Sequence, residues 1–194
     1  MAKSYGGNKV VTPNVSKKDK SRNDYNSQLS SGNYDKSRSY FSEVGGGYVL
    51  FHKGHNIDKN EIEAARIMAD NGYAVELTPE SGVKFMKKIN GKEKYIDGKV
   101  SSIEYEQSTP HPTRLDQEGL IRSVNNALEH AKSKGADVAL IYDKFNSYHR
   151  ADIDRGIKRF ESNNPSYRFK AIVTVNTRRE VNEWLHDTPA RKKK

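Results

Sequence analysis

Large aliphatic side chains are distributed unevenly along the chain. Residues 1–45 contain only five of them, whereas from Tyr48 onward apolar residues fall into regular blocks. These blocks supply enough apolar material for one hydrophobic core over about 140 residues, which is an ordinary domain size. The pattern therefore predicts a disordered N-terminal arm over residues 1–45, one domain over residues 46–188, and a short tail over residues 189–194.

The spacing of the apolar positions predicts the elements of that domain. Helical spacing, with capping residues and closing glycines, predicts helices at 58–71, 114–134, 150–162 and from Thr177 through Leu185. Short apolar or alternating runs predict strands at 48–53, 73–77, 83–89, 92–96, 100–108, 137–143 and 169–175. The expected fold class is α+β, with a mixed, mostly antiparallel sheet flanked by helices.

Two glycine-containing segments predict where the chain changes direction. Asn90-Gly91 favours a tight hairpin turn whose twist matches two antiparallel strands. Gly45-Gly46-Gly47 stands between the arm and the first strand, and it predicts a flexible hinge into the domain.

The net charge of +9 is concentrated at the two ends of the chain. Residues 1–45 hold eight Lys or Arg and four Asp or Glu, and the last four residues, 191–194, are all basic. Basic tails attract phosphate without sequence preference, although such runs often only keep a chain in solution. The rest of the chain is close to neutral, so any basic site within the domain must be local.

Several classes of function are disfavoured by what the sequence lacks. It contains no phosphate-binding glycine loop, no zinc-protease motif and no serine-hydrolase elbow. It has no cysteine, which excludes disulfides, cysteine-based zinc sites and a cysteine nucleophile. Neither a membrane-spanning run nor a secretory signal is predicted. We expect a cytoplasmic or virion-associated protein that does not contact a membrane.

Acidic side chains gather around a predicted turn and the strand that follows it. Asp97 lies in an Asp-Gly turn, and Glu104 and Glu106 alternate along the next strand, so both point to one face. Such a face could hold Mg²⁺ or supply a general base. The alternative is that both glutamates belong to the solvated face of an amphipathic strand.

A group of lysines lies beside these acids. Its members are Lys84, Lys87, Lys88, Lys92, Lys94 and Lys99. In an otherwise neutral domain they predict a nucleic-acid-binding track that contacts phosphates. Lysines on an exposed strand also prevent edge-to-edge aggregation, and the sequence leaves that alternative open.

Further polar residues follow two of the predicted strands. His52 and His55 flank the end of the first strand, and histidine can move protons near neutral pH. Asp143-Lys144 and His149-Arg150 follow the buried strand 137–143, where loops commonly carry function. The alternatives are ordinary surface histidines and a capping turn before the next helix.

The stretch from His52 to about Phe160 resembles the C-terminal tRNA-nuclease domain of contact-dependent inhibition proteins (CdiA). The resemblance is carried by "EIEAARIMADNGYAVELTPE" (61–80), an Asp97-Gly98 turn, an acidic strand, a long helix and "ADVALIY" (136–142). Related nuclease domains are attached to phage head proteins. The resemblance implies the barnase–EndoU–colicin–RelE-like fold and a nuclease that cleaves tRNA, with or without a metal ion.

The same resemblance implies site residues and partners. By position, it makes Glu80, Asp97 and Glu104 the candidate active-site acids. Relatives often carry Glu-x-Lys on the acidic strand, whereas this chain has Glu104-Tyr105-Glu106, so Lys99 or Lys144 would have to replace the lysine. RNA is the expected substrate, and an immunity protein or a virion protein is the implied protein partner.

Three functions are therefore carried forward. The first is an endoribonuclease-like domain, encoded by a phage or mobile element, that cleaves or binds tRNA or another structured RNA. The second is a metal-dependent DNA endonuclease, and the third is a non-catalytic nucleic-acid-binding or virion-associated module. The predicted catalytic residues are His55, Glu80, Asp97, Glu104 and Lys144. No metal ligands are assigned, and Mg²⁺ is the cofactor that the acids could require.

Overall fold

A computed structural model of the chain describes residues 15–185. Its helices are α1 (Val15–Ser30), α2 (Lys59–Asp70), α3 (Gln117–Ser133) and α4 (Arg150–Asn163). Its strands are β1 (Tyr40–Phe41), β2 (Tyr48–Phe51), β3 (Ala74–Leu77), β4 (Lys87–Ile89), β5 (Lys92–Lys94), β6 (Gly98–Val100), β7 (Ile103–Ser108), β8 (Val138–Asp143), β9 (Ala171–Asn176) and β10 (Val181–Leu185). None of these helices is long and apolar enough to cross a membrane.

Eight of the strands form one mixed sheet. Their order across the sheet is β1-β2-β3-β6-β7-β8-β9-β10, while β4 and β5 form a separate hairpin. The pairs β2–β3, β7–β8 and β8–β9 are parallel, and the other four pairs in the sheet are antiparallel. The predicted α+β class, with a mixed sheet flanked by helices, is confirmed.

Apolar layers cover both faces of the sheet. Along β8, Leu140 and Tyr142 pack on the α2 side, whereas Ala139 and Ile141 pack against α3 and α4. Successive side chains of a strand point to opposite faces, so a strand covered on both faces must be apolar throughout. All six residues of β8 are buried, as its nearly continuous apolar sequence predicts.

The helices begin and end at recognisable signals. The Asp58 side chain accepts hydrogen bonds from the backbone N–H groups of Asn60 and Glu61 and so caps α2. Asp116 caps α3 in the same way by accepting from the N–H of Gly119. Gly72 and Gly135 follow the two helices with φ of 91° and 66°, the left-handed conformation that glycine adopts without strain.

The predicted disordered arm is wrong for residues 15–45, which are ordered, and its first fourteen residues lie outside the described part of the chain. Helix α1 contacts β2, where Tyr25 packs on the rings of Phe41 and Tyr48 with centroids 5.7 Å apart in each case. Ser21 Oγ donates a hydrogen bond to the Gly46 carbonyl at 2.6 Å, and Arg22 pairs with a glutamate beside β1. Hydropathy misses this helix because aromatic and polar contacts fix it in place.

The predicted last helix is also wrong, because residues 181–185 form β10, antiparallel to β9. Residues 177–180 make a turn in which Arg179 has a φ of 68°. The Asn176 side chain accepts from the Glu180 N–H at 3.0 Å and donates to its carboxylate at 2.6 Å. The Thr-x-x-Glu spacing that resembles a helix start therefore belongs to a hairpin. The predicted tail, residues 189–194, lies outside the described residues.

Two further predictions about local structure need correction. The predicted strand 100–108 is two antiparallel strands, β6 and β7, joined at Ser101 and Ser102, which both have positive φ. The three glycines 45–47 are not a hinge. A Cβ atom on Gly47 would lie 2.4 Å from the Tyr73 carbonyl oxygen, so the segment is pressed against neighbouring backbone.

Candidate active site

The polar side chains of interest lie at one edge of the sheet. The parallel strands β2, β3, β7, β8 and β9 all end at this edge, whereas the antiparallel strand β6 begins there. In sheets of this kind, binding and catalytic groups concentrate beyond the carboxyl ends of the parallel strands. His55, Glu80, Asp97 and Lys144 all follow or precede a strand at this edge.

Asp97 and Glu106 form the centre of the site. Gly98 pairs with Tyr105 in the antiparallel β6–β7 ladder, so Asp97, one residue earlier, comes opposite Glu106. The backbone N–H of Gln107 donates to Asp97 Oδ2 at 2.7 Å, which fixes the aspartate against β7. Asp97 is 9% exposed and Glu106 only 2% exposed.

The environment of these two carboxyl groups disfavours their charged forms. Burial raises the pKa of Asp97 to about 8, with further contributions from the charges of Glu106 and Glu61. Burial also raises the pKa of Glu106, although Lys134 and His130 oppose the shift. Desolvation and like charge act in the same direction on Asp97. Carboxyl groups with strongly raised pKa values are often found at catalytic sites.

Glu106 is held by two basic side chains from the end of α3. Lys134 Nζ lies 3.0 Å from Glu106 Oε1, and His130 Nε2 lies 2.9 Å from the same oxygen. Lys134 also donates to the Tyr95 carbonyl at 3.0 Å. The two residues are four apart and therefore share one helix face. Lys134 brings positive charge to the buried acid, and His130 contacts the same oxygen.

His55 lies among carboxylates from two other elements. Its Nε2 atom is 2.9 Å from Glu61 Oε2 in α2, and its Nδ1 atom is 3.6 Å from Glu80 Oε1 in the loop after β3. Asn56 holds Glu80 by donating from its side-chain amide at 2.9 Å. His55, Glu61 and Glu80 each offer an atom that could bind a metal ion, and these three atoms lie within 4.8 Å of one another.

The hydrogen bond of His55 Nδ1 defines how the ring carries its protons. Nδ1 lies 2.7 Å from the Thr78 carbonyl oxygen, and a carbonyl can only accept, so Nδ1 is protonated. Nε2 then faces the Glu61 carboxylate and needs a positive charge between them, either a proton or a metal ion. Burial opposes a charged ring, but Glu61, Thr78 and Glu80 outweigh it and raise the pKa of His55.

Several buried oxygen atoms of this region lack hydrogen-bond partners. They are Glu61 Oε2, Tyr105 OH, Glu106 Oε2 and Gln107 Oε1. Glu61 Oε2 is close to His55, but the contact is not aligned as a hydrogen bond. Burial raises the pKa of Tyr105, and the charges of Asp97, Glu61 and Glu106 add to that effect. Unpaired buried oxygens are costly, and a hard cation or ordered water would satisfy them.

The predicted lysines are divided between contacts and solvent. Lys87 binds the Glu104 carboxylate and donates to the Gly135 carbonyl at 3.3 Å, so it joins the β4–β5 hairpin to β7 and to the end of α3. Lys99 lies 4.0 Å from Glu76. Lys84, Lys88 and Lys92 are exposed, and Lys94 is half-buried opposite Lys87. Phosphate binding by this group stays a prediction.

Two other predicted catalytic residues lie apart from the Asp97–Glu106 pair. Glu104 is on the same face of β7 as Glu106, but its carboxylate is bound by Lys87. Lys144 donates to Asn60 Oδ1 at 2.9 Å, beside the first turn of α2. Lys144 therefore contacts the residue that precedes Glu61 in α2. Glu104, in contrast, contacts the β4–β5 hairpin through Lys87. Their catalytic roles stay predictions.

The sequence did not assign Glu61, His130 or Lys134 to the site, and it considered Glu106 only as a companion of Glu104. The spacing of Glu61 after Asp58 is typical of the reciprocal residue of a helix cap, yet its carboxylate faces His55. The predicted Asp97-Gly98 turn is wrong, because Gly98 is the first residue of β6, and the antiparallel return at Ser101–Ser102 brings Asp97 opposite a glutamate of β7. The position of the Ser101–Ser102 turn decides which glutamate it is.

Comparisons with known proteins identify no family for this chain. No protein-family model matches it, and no curated protein matches it. Among solved structures it is similar to the CdiA-CT/CdiI toxin and immunity complex from Burkholderia pseudomallei, with a TM-score of 0.45 and 13% sequence identity. That similarity covers 69% of this chain and 96% of the other. The chemistry of the site is therefore argued from its own residues.

Proposed function

We propose that the protein is a nuclease that hydrolyses phosphodiester bonds at the carboxyl cluster around Asp97. The observation that carries the proposal is the pair of buried acids that face each other across β6 and β7. Burial disfavours the charged form of both, and the charge of Glu106 adds to this effect on Asp97. Such a pair lowers the stability of the fold, and proteins commonly retain destabilising arrangements where activity needs them. The adjacent basic residues of α3 suit an anionic substrate.

Structured RNA, and tRNA in the first instance, is the proposed substrate. The support is the resemblance of residues 52–160 to the tRNA-nuclease domains of CdiA proteins, together with the basic residues near both ends of the chain. DNA is the second candidate, because facing carboxylates that suit a metal ion serve DNA cleavage equally well. An immunity protein would be the natural partner of a toxin of this kind.

The residues of the cluster fit a divalent cation. Carboxylate oxygens are the ligands that Mg²⁺ prefers, and Glu61, which has a buried oxygen without a hydrogen-bond partner, lies with Glu80 and His55 in a group whose ligand atoms are within 4.8 Å of one another. When bound, such an ion would lower the pKa of a water molecule and stabilise negative charge on the phosphate. When no ion is bound beside Glu61, His55 carries a proton on Nε2 and can donate it to the leaving oxygen. Lys134 can stabilise charge on the phosphate.

Cleavage assays with a Glu106→Gln variant test the proposal. Wild-type protein is expected to cleave total tRNA in Mg²⁺ or Mn²⁺ and to lose activity in EDTA. The variant should lose at least about 100-fold in rate, since it removes one of the two facing carboxylates. Gel electrophoresis of tRNA, and of single- and double-stranded DNA oligonucleotides, measures the products and identifies the substrate.

Glu104→Gln is the matched comparison, because Glu104 lies on the same strand face two residues earlier and is bound by Lys87. A smaller loss than in Glu106→Gln is expected. If Glu104→Gln lost as much cleavage activity as Glu106→Gln or more, the result would indicate that the catalytic site lies at Glu104. Intact RNA and DNA at high protein concentration, with Mg²⁺, Mn²⁺ and Zn²⁺ each supplied, would contradict the proposal and favour a non-catalytic binding module.

A further inference from the structure

A polar groove runs along α3 away from the carboxyl cluster. One cavity, of about 440 Å³, is lined by Gln107, Pro110 and His130 among others. A second, of about 430 Å³, is lined by His111, Arg114 and Arg122 among others. Ser123 and Asn126 line both cavities, so the two adjoin each other along α3. This α3 groove starts at the site, because His130 is in contact with Glu106.

One stripe of α3 forms the floor of the groove. Arg122, Asn126, His130 and Lys134 follow one another at intervals of four residues, so neighbouring members are adjacent and the set forms a stripe that winds slowly around the helix. Lys134 and His130 hold Glu106, and Arg122 lies two turns, about 12 Å, further along the axis. Every member of the stripe can donate a hydrogen bond, and none is acidic.

The outer half of the stripe has donors that the protein itself does not use. Within residues 15–185, the side chains of Arg122 and Asn126 make no hydrogen bond or ion pair with another residue. The acid nearest to them in the lining, Glu118, is bound by Arg159 from α4 at 2.5 Å. A guanidinium without a carboxylate partner is suited to a phosphate.

An exposed aromatic pair lies at the far end of the groove. The rings of His111 and Phe145 pack edge to face with centroids 4.9 Å apart, and Phe145 is 53% exposed. They come from the loops after β7 and β8, at the same edge of the sheet as the cluster. Exposed aromatic rings provide stacking platforms for bases of single-stranded nucleic acid.

We infer that the α3 groove binds a single-stranded segment of the nucleic-acid substrate, with a phosphate on Arg122 and a base on the His111–Phe145 pair. This inference rests on the proposed function, since the groove would extend the substrate away from the cleavage site. It assigns substrate binding to α3 and not to the lysines of the β4–β5 hairpin. A duplex would not expose a base face to the aromatic pair.

Binding measurements with an Arg122→Glu variant test this inference. Both this variant and its control carry Asp97→Asn, so that the probe is not cut. The probe is a fluorescein-labelled single-stranded oligonucleotide, as RNA and as DNA of one sequence, and fluorescence anisotropy gives the Kd. Arg122→Glu should weaken binding about tenfold or more, which corresponds to about 1.4 kcal/mol. Phe145→Ala should weaken it by a similar factor through lost stacking.

Arg155→Glu is the matched control, because Arg155 is an exposed arginine on α4 that does not line the groove. It changes the net charge by the same amount and should alter the Kd less than about twofold. A Lys88→Glu variant, at an exposed position of the β4–β5 hairpin, tests whether the hairpin lysines bind the probe more strongly than the α3 groove does. Equal weakening by Arg122→Glu and Arg155→Glu would overturn the inference, as would a larger effect of Lys88→Glu.

The failure of this inference can be told apart from failure of the proposed function. In one outcome, the wild type cleaves nucleic acid while Arg122→Glu and Arg155→Glu bind it equally well. That result would contradict binding in the α3 groove and support the nuclease proposal. If the protein cleaves nothing and only Arg122→Glu loses binding, the result would support binding in the α3 groove and contradict the nuclease proposal. Thermal unfolding by circular dichroism should match between Arg122→Glu and Arg155→Glu, since both positions are exposed.

Discussion

Replacing Asp97 with asparagine is expected to abolish cleavage and, at the same time, to stabilise the fold. The aspartate is destabilising at neutral pH because burial and the charges of Glu106 and Glu61 raise its pKa to about 8. Asparagine carries no charge at any of these pH values, and its amide oxygen can still accept the Gln107 N–H. Loss of activity with gain of stability would mark Asp97 as a functional residue.

The pH dependence of this effect has a definite sign. A carboxyl group whose pKa is higher in the folded state than in the unfolded chain favours folding at low pH, and that contribution disappears as pH rises through the folded-state pKa. The wild type should therefore lose stability relative to Asp97→Asn between about pH 4 and pH 8. The stability difference at pH 8 should approach, but not exceed, about 5–6 kcal/mol, because the pKa rises from 3.8 to about 8 and each pH unit of that interval corresponds to about 1.4 kcal/mol.

Urea unfolding at several pH values measures the difference directly. Asp137→Asn is the control, because Asp137 is 45% exposed and pairs with Lys170 at 3.0 Å, so its replacement should change stability by less than about 1 kcal/mol. An Asp97→Asn protein that is less stable than the wild type at pH 8 would show that the aspartate is an ordinary structural residue. Retained cleavage would remove it from the active site.

Replacing Gly47 with alanine is expected to destabilise the protein by about 2–4 kcal/mol. A Cβ atom at this position would lie 2.4 Å from the Tyr73 carbonyl oxygen and 2.5 Å from that of Ala69, and both are backbone atoms that cannot rotate away. The backbone of Gly47 also donates to Ala69 and accepts from Ser42. A single methyl group would therefore separate the start of β2 from the end of α2.

Gly32→Ala provides the comparison for this prediction. Gly32 has a φ of 80°, and nothing lies within 4 Å of a Cβ built on it, so alanine meets only backbone strain of about 1 kcal/mol. Thermal melts followed by circular dichroism would rank the two variants. If Gly47→Ala melted at the wild-type temperature, the triple glycine would be the flexible hinge that its composition indicates.

Much of the fold could be predicted from hydrophobic spacing because the core elements bury whole faces. Helix α2 and strand β8 were predicted to within a residue or two, since their caps and apolar runs are local signals. Helix α1 has no apolar stripe, and it is ordered by Tyr25, Ser21 and Arg22 reaching residues more than twenty positions away. Contacts at that sequence distance leave no periodic pattern.

The candidate site could be predicted only in part. Asp97 and His55 could be predicted because an Asp-Gly pair and a histidine after a strand are visible in the sequence, although Asp97-Gly98 leads into β6 and is not a turn. Choosing between Glu104 and Glu106 requires the register of β6 against β7, which depends on two residues of positive φ at Ser101 and Ser102. Neither is a glycine or an asparagine, so ordinary turn preferences do not mark the position.

Because α1 packs on the sheet, the shortest fragment that can fold on its own must include α1. A fragment beginning at Tyr48 would retain every acid of the candidate site but would lack β1. It would also expose the rings of Tyr48 and Phe51, which Tyr25 and Arg38 contact in the full chain. Shortened versions made for crystallisation or screening should therefore begin ahead of α1.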